Sequence, residues 1–280
     1  MNLYNKINLL LIVLISAGCS KNDFDANSPS GLVAEITNGE GEIVSRYTYN
    51  KKQQVTESWH SDIAFSSNER QHYKYIYNNS NKLTEKKGYE PGIIYMSSIT
   101  GASGKDVDYQ YSYDENGRTK SIKVDYDYDI EGWGNSDYSR LSTFEYPDDK
   151  HVIVTVNTID PAGNSIPGFS KYYYNENGNI AKTTDNVIID NKERIISQAV
   201  FTYDTMKAPR YPDPGPVSKS NVLTRTETSY NYNEAEIMSV AYTSVFQYEY
   251  TYNDYGYPLT QVETYPNEIK NSKQFKYVKQ

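Results

Sequence analysis

The sequence predicts an all-β protein, an antiparallel meander of repeated hairpins with about sixteen strands, curled into a soluble barrel or a strongly curved sheet. Three observations lead there. Thirty of the 280 residues are tyrosine. Many of them stand in strict alternation, as in Tyr248-Glu249-Tyr250-Thr251-Tyr252, which puts every ring on one face of a strand and the polar residues on the other. A Tyr-x-Tyr-Asn/Asp unit followed by a short turn and a second alternating run recurs along most of the chain.

Copies of the unit are Tyr47-Thr48-Tyr49-Asn50, Tyr75-Ile76-Tyr77-Asn78, Tyr111-Ser112-Tyr113-Asp114, Tyr172-Tyr173-Tyr174-Asn175 and Tyr250-Thr251-Tyr252-Asn253. Looser copies end at Tyr146, Tyr203 and Tyr232. The residue types suit a hairpin. An Asn or Asp side chain bonds a backbone N–H ahead of it, and the Gly or Asn four residues after the tyrosine tolerates positive φ, as in a type I turn with a G1 bulge. Eight such hairpins supply about sixteen strands, and stacking them side by side buries a tyrosine-lined layer.

Before the repeats, Lys6 precedes the apolar run Ile7–Ile15, and Ser16-Ala17-Gly18-Cys19 follows. The run is too short for a membrane span, which needs roughly 20 apolar residues, so residues 1–18 read as a signal peptide. Cys19 is the only cysteine. Its setting resembles a lipobox, which implies cleavage before it and acylation of its thiol with palmitate-type chains; such chains tether a protein to a membrane without embedding it. Residues 19–31 are polar and aperiodic and read as a flexible tether, leaving 32–280 as a single Tyr-rich domain. The opening of that tether, Lys21 followed by Asp23 and Asp25, is similar to the surface-export signal of Bacteroidota lipoproteins.

The Tyr-Asn/Asp-x-x-Gly turns resemble the YD repeats of RHS-type shells. The whole arrangement resembles a family of Bacteroidota lipoproteins of unknown function described as having a porin-like fold, including a late segment in which Asp204-Thr205-Met206-Lys207-Ala208-Pro209 precedes a loop and Ser218-Lys219-Ser220-Asn221-Val222. The resemblance implies an outer-membrane address, surface-exposed or periplasmic, but no catalytic residue. A lipid-embedded barrel needs an apolar outer band. The faces opposite the tyrosines instead carry Arg46, Thr48, Lys74, Gln110, Ser112, Lys171, Glu249 and Thr251.

A formal charge of −8 and scattered Lys and Arg argue against nucleic acid as a partner. His60, His72 and His151 have no metal-ligand spacing, and no phosphate loop or hydrolase motif occurs. No cofactor is expected. Asp125-Tyr126-Asp127-Tyr128-Asp129 would line carboxylates along one strand face at about 7 Å intervals. Asp125, Asp127 and Asp129 are thus weak metal candidates, against the simpler reading of a solvated face paired with Lys or Arg. Trp59 alternates with Val55 and is expected in the core. Trp133 lies between glycines in an expected loop; Tyr89 opens the insertion Tyr89-Glu90-Pro91-Gly92, an expected long loop, and Tyr211 lies in a Pro-rich loop. These three are the candidate ligand contacts, for aromatics bury area while keeping a polar handle.

The preferred reading is a membrane-anchored, non-enzymatic binding or scaffold lipoprotein of the cell envelope, contacting a glycan, a peptide or an envelope protein. The alternatives are an envelope hydrolase using Asp/Glu acid–base chemistry and a purely structural envelope protein.

Overall fold

The structure is a computed structural model. It describes residues 24–25, 28, 30–61, 71–90, 105–127, 129–130, 134–135, 138–159, 165–211, 214–233 and 238–279, with the backbone alone at some of these, Asp127 and Asp129 included. Cys19 and Trp133 lie outside the described residues.

In chain order the strands are β1 (Phe24–Asp25), β2 (Val33–Asn38), β3 (Ile43–Tyr49), β4 (Val55–His60), β5 (Gln71–Tyr77), β6 (Leu83–Glu90), β7 (Lys105–Tyr113), β8 (Thr119–Asp127), β9 (Asp129–Ile130) and β10 (Gly134–Asn135). Then follow β11 (Tyr138–Asp148), β12 (His151–Ile159), β13 (Ser165–Tyr174), β14 (Ile180–Ile189), β15 (Lys192–Lys207), β16 (Ser220–Tyr232), β17 (Met238–Tyr252), β18 (Pro258–Thr264) and β19 (Lys270–Val278). Neighbours pair antiparallel throughout; β19 joins β2, and β8 joins β11 through Asp125↔Ser139 and Ser121↔Thr143. The sixteen strands β2–β8 and β11–β19 therefore close into a barrel, and β9–β10 form a separate small ribbon. Closure removes the unpaired edges that an open sheet of this size would expose.

The turns after β3, β5, β7, β13 and β17 share the expected chemistry. The side-chain oxygens of Asn50, Asn78, Asn175 and Asn253 each accept from two backbone N–H groups ahead of them, and Asp114 accepts from Arg118 N. The residue four beyond each tyrosine has positive φ: Gln53 and Asn81 at 61°, Gly117 at 80°, Gly178 at 75° and Gly256 at 82°. These turns gather at one end of the barrel, the tyrosine rim. The described turns after β2, β14 and β18 lie at the opposite rim. The copy ending at Tyr232 falls at that opposite rim because β16 runs away from the tyrosine rim. Seven hairpins plus the β19–β2 pairing thus make up the sixteen strands, where eight hairpins were expected.

Cross-strand rows separate the two faces. Tyr47, Ser58, Tyr73, Gly88, Val107 and Tyr126 lie opposite one another in succession and face the interior; those with side chains are buried. Gly88 is required in this row, since a Cβ there would stand 2.1 Å from the His72 carbonyl oxygen and 2.5 Å from the Tyr73 ring. The next row, Arg46, Trp59, His72, Tyr89 and Asp106, faces outward. Trp59 is therefore not a core residue. A bulge between Tyr49/Val55 and Thr48/Glu57 reverses the alternation after Val55, and Trp59 stacks on His72 at 5.0 Å between ring centroids and 6° between planes.

Packing is uneven around the ring. From β19 through β8 the interior rings of Tyr47, Tyr73, Tyr75, Tyr111, Phe275 and Tyr277 form one buried cluster with Val33, Ile36, Val55 and Leu83. From β13 to β18 the inward residues Tyr172, Tyr174, Phe201, Tyr203, Arg225, Glu227, Phe246 and Tyr248 are only half-buried. Half of the interior is a packed core and half a partly open, polar lumen.

Of residues 19–31, the described ones lie against the barrel wall. β1 pairs with the end of β19, Ser28 and Ser30 are buried with their hydroxyls donating to the Val278 carbonyl, and Val278 N donates to the Leu32 carbonyl. Two buried serines satisfy a strand end that has run past its neighbours, which holds this segment against the wall.

Candidate functional site

Two cavities have chemistry on their walls. The first is a cleft of about 860 Å³ on the outer face, towards the rim opposite the tyrosine turns. Its floor is the outward row Lys74, Lys87, Asp108, Asp125, Ser139 and Ile159, with His72, Tyr89 and Asp106 in the row beside it. These side chains rise from paired strands, so their spacing is fixed by the sheet. Lys87 Nζ bridges Glu85 at 3.0 Å and Asp108 at 3.4 Å, and Lys123 Nζ holds Asp125 at 2.8 Å. The two carboxylates of Glu85 and Asp108 hold the Lys87 ammonium above its ordinary pKa.

Asp125 faces Asp108 directly across the β7–β8 pair, and Asp127 faces Asp106. Like charges directly opposite in a sheet are destabilising, so a Lys partner straight across from Asp125, as expected for a solvated face, is not what the register supplies. The expected run of carboxylates also stops at Asp127, because β8 ends there and Asp129 belongs to β9. Among the described residues no group of three His, Cys, Asp or Glu side chains is placed to hold a metal. Two polar atoms of the cleft, His72 Nε2 and Asp108 Oδ1, are buried without a hydrogen-bond partner among the described residues; Glu57 is 3.8 Å from the former. Buried polar atoms are rarely left so.

Tyr89 lies at the end of β6 and lines this cleft, as a strand residue where a loop residue was expected. Tyr211 is elsewhere. The Pro-rich connection after β15 crosses the tyrosine rim as a strap. Lys207 N donates to the Gly256 carbonyl, Arg210 N to the Gly31 carbonyl, and Ala208 N to the Lys219 carbonyl. Asp204 takes the turn position that Asn holds elsewhere, accepting from Met206 N, Asn221 N and the Tyr252 hydroxyl.

Beneath the strap is the second cavity, about 610 Å³, bounded by strap residues and by the interior residues Val222, Tyr250, Gln261 and Phe275 together with Tyr257. Burial and the neighbouring Tyr250 phenol raise the pKa of the Tyr211 hydroxyl, although half of that residue's surface stays open. Tyr211 in turn helps raise Tyr277 and Tyr49, for both of which burial is the larger cause. Burial, opposed by a hydrogen bond from Gln261, pushes Tyr250 up to about 12. All four phenols are neutral hydrogen-bonding groups at neutral pH. Sequence reasoning named Tyr211 but missed Arg210 and Lys207, whose signal was only their place beside the prolines.

The carboxyls whose titration shifts all shift downward. Burial pushes Glu35 up, but hydrogen bonds and charge from Lys276 and Arg46 outweigh it; burial is likewise outweighed at Asp114 by Arg118; and His151 and Lys150 N lower Asp148. Each of these groups is stabilised as an anion.

No protein-family model matches the sequence, and no curated protein matches it. Among solved structures, a porin-like protein from Bacteroides vulgatus ATCC 8482 superposes with a TM-score of 0.55 at 9% identity, covering 88% of this chain and 98% of that one. In fold, the chain is similar to this porin-like protein. A porin-like protein from Bacteroides uniformis ATCC 8492 matches with a TM-score of 0.31 at 10% identity, covering 69% of this chain and 96% of that one. At 9% identity the likeness to the Bacteroides vulgatus protein is one of architecture.

Proposed function

We propose that the chain is a lipid-tethered, non-enzymatic binding protein of the bacterial cell envelope, and that the outer-face cleft takes a glycan. The observation that carries this reading is the pair of unpartnered buried atoms in the cleft, His72 Nε2 and Asp108 Oδ1. His72 on β5 and Asp108 on β7 stand two strands apart in the cleft wall, and a polyhydroxylated ligand, whose hydroxyls each donate and accept, can meet an imidazole nitrogen and a carboxylate oxygen at separate points. Tyr89 and Ile159 add apolar surface for a sugar ring to rest on. Binding of purified protein to a glycan array tests the proposal. Retention of one glycan class, lost in both His72→Ala and Asp108→Ala, is expected. Retention by both variants, or capture of peptides alone, contradicts it.

The tether follows from the signal-like residues 1–18 and the lipobox-like setting of Cys19. The first described strand, β1, joins the end of β19 at the tyrosine rim, and the five residues from Cys19 to Phe24 span at most roughly 18 Å. On this reading the tyrosine rim faces the membrane and the cleft faces away from it. The wall itself suits water. Lys74, Lys87, Asp108, Lys123 and Asp125 face outward in mid-wall, and Lys or Arg on a lipid-facing strand costs about 2–4 kcal/mol at the bilayer midplane. Exposed aliphatics also occur at Ile76, Leu141, Ile159, Ile188, Ile196, Val200, Leu223, Val240 and Val245. Those at Val200, Leu223 and Val245 are interleaved with Thr202, Thr224 and Thr226, and charged residues such as Lys74, Lys87 and Lys123 interrupt the rest.

A further inference from the structure

The cavity beneath the strap has a chemical character that neither the fold nor the outer cleft explains. Its lining contains the cations Lys207, Arg210 and Lys219, and no carboxylate among the described residues. None of the three makes an ion pair with a described residue. The Lys207 ammonium stands 5.2 Å from the centroid of the Tyr257 ring, and Arg210 is close enough to lower the pKa of the Tyr49 phenol in part. Among the described residues, the nearby carboxylate of Asp204 is taken up by Tyr252, Asn221 and the Met206 N–H. In a protein with a net charge of −8, a concave pocket lined by unpaired cations concentrates anions.

The rest of the lining defines what the anion must carry. Tyr211, Tyr250, Tyr257 and Phe275 give apolar ring faces, while the Tyr211 hydroxyl, the Tyr250 hydroxyl and Gln261 offer neutral hydrogen-bonding groups. A volume of about 610 Å³ falls in the range of small-molecule sites, roughly 300–1,000 Å³. We propose that this pocket binds an acidic sugar of one or two rings, a hexuronate, with its carboxylate at Arg210 and Lys207 and its ring and hydroxyls against Tyr211, Tyr250 and Gln261. A pyranose ring has an apolar face for stacking and a belt of hydroxyls for the phenols and amide, and a guanidinium pairs with a carboxylate through two parallel hydrogen bonds.

Titration calorimetry of the full mature chain with D-glucuronate, D-galacturonate and D-glucose tests the proposal. Saturable binding of a uronate at one site per chain, weakened by added salt and absent for glucose, is expected. Arg210→Gln keeps the backbone bond to Gly31 and should bind at least ~10-fold more weakly, the scale of one lost charge-assisted hydrogen bond. Lys207→Gln is a second variant with the same expected loss, should Arg210→Gln fail to fold. Lys74→Ala, in the outer cleft, should bind uronate like the unaltered chain, so failure of the cleft proposal leaves this one intact. No saturable uronate binding, equal binding of glucose, or unchanged affinity in both Arg210→Gln and Lys207→Gln would overturn it.

Discussion

The Tyr49 hydroxyl donates to the Val33 carbonyl at 2.6 Å, tying the last residue of β3 to the first residue of β2. The same bond recurs around the tyrosine rim. Tyr113 reaches Leu83, Tyr146 reaches Thr119, Tyr203 reaches Ile180, Tyr250 reaches Val222 and Tyr277 reaches Pro258. In each case the end of a strand running towards the tyrosine rim caps a carbonyl at the start of the preceding barrel strand, which runs away from that rim. The tyrosine of the repeat is thus a clasp between hairpins. It explains why phenylalanine, with the same ring, does not replace it at these positions.

If each clasp acts by itself, Tyr113→Phe removes one hydrogen bond and leaves the Leu83 carbonyl short of a partner. The expected loss is about 1 kcal/mol. Urea unfolding of Tyr113→Phe, Tyr203→Phe and the double variant should give additive losses, since these two clasps lie on different hairpins.

Gln53 and Glu268 hold the left-handed conformation that glycine holds at Gly117, Gly178 and Gly256. An L-residue there costs about 1–2 kcal/mol, part of which is returned by the smaller entropy loss of a non-glycine chain. Gln53→Gly is therefore expected to raise stability by about 0.5 kcal/mol. Gly117→Ala should lower it by about 1 kcal/mol in the same denaturant titration.

Glu35 is buried, accepting from Lys276 Nζ at 2.7 Å and from Arg46 at 3.0 Å. Its folded pKa lies below the ordinary 4.5, so its contribution is fully present above that value and is lost as pH falls through the lower folded value. Glu35→Gln should be less stable than the parent by about 1–2 kcal/mol at pH 7. The gap should close on acidification below pH ~4.5, as the parent's carboxyl takes up its proton. Thermal melts of both chains from pH 7 down to pH 3 check the sign.

Asp106 opposes Asp127 across the β7–β8 pair, in the wall of the outer cleft. Asp106→Asn is expected to stabilise the barrel by up to about 0.5 kcal/mol by removing a like-charge pair. It should weaken glycan retention at the same time, a sign of residues kept for binding at some cost to stability. A gain in stability with unaltered retention would assign these carboxylates no binding role.

Much of the architecture was legible because two local rules coincide in this chain. Strict alternation fixed which face each tyrosine takes, and the Asn/Asp-x-x-Gly spacing fixed the turns, as Asn78, Asp114 and Asn175 show. Where one extra residue enters a strand, the rule inverts; the bulge at Thr56 carried Trp59 to the outer face. Tyr232 has the motif but sits at the other rim, since direction along the barrel depends on every turn before it. The site was less legible. Tyr89 and Asp125 share the cleft because β6, β7 and β8 are neighbours, whereas Lys207 and Arg210 meet Tyr250 and Gln261 only through the strap. Contacts across a lumen leave no periodic trace in the chain.

The central claim, that this barrel is tethered to a membrane and does not span one, is tested most directly by sedimentation of the mature chain carrying Cys19→Ser in detergent-free buffer. The account predicts a folded, soluble monomer with a sheet-type circular dichroism spectrum that associates with no added lipid vesicles. Aggregation relieved only by detergent, or insertion of the unlipidated chain into vesicles, would contradict it.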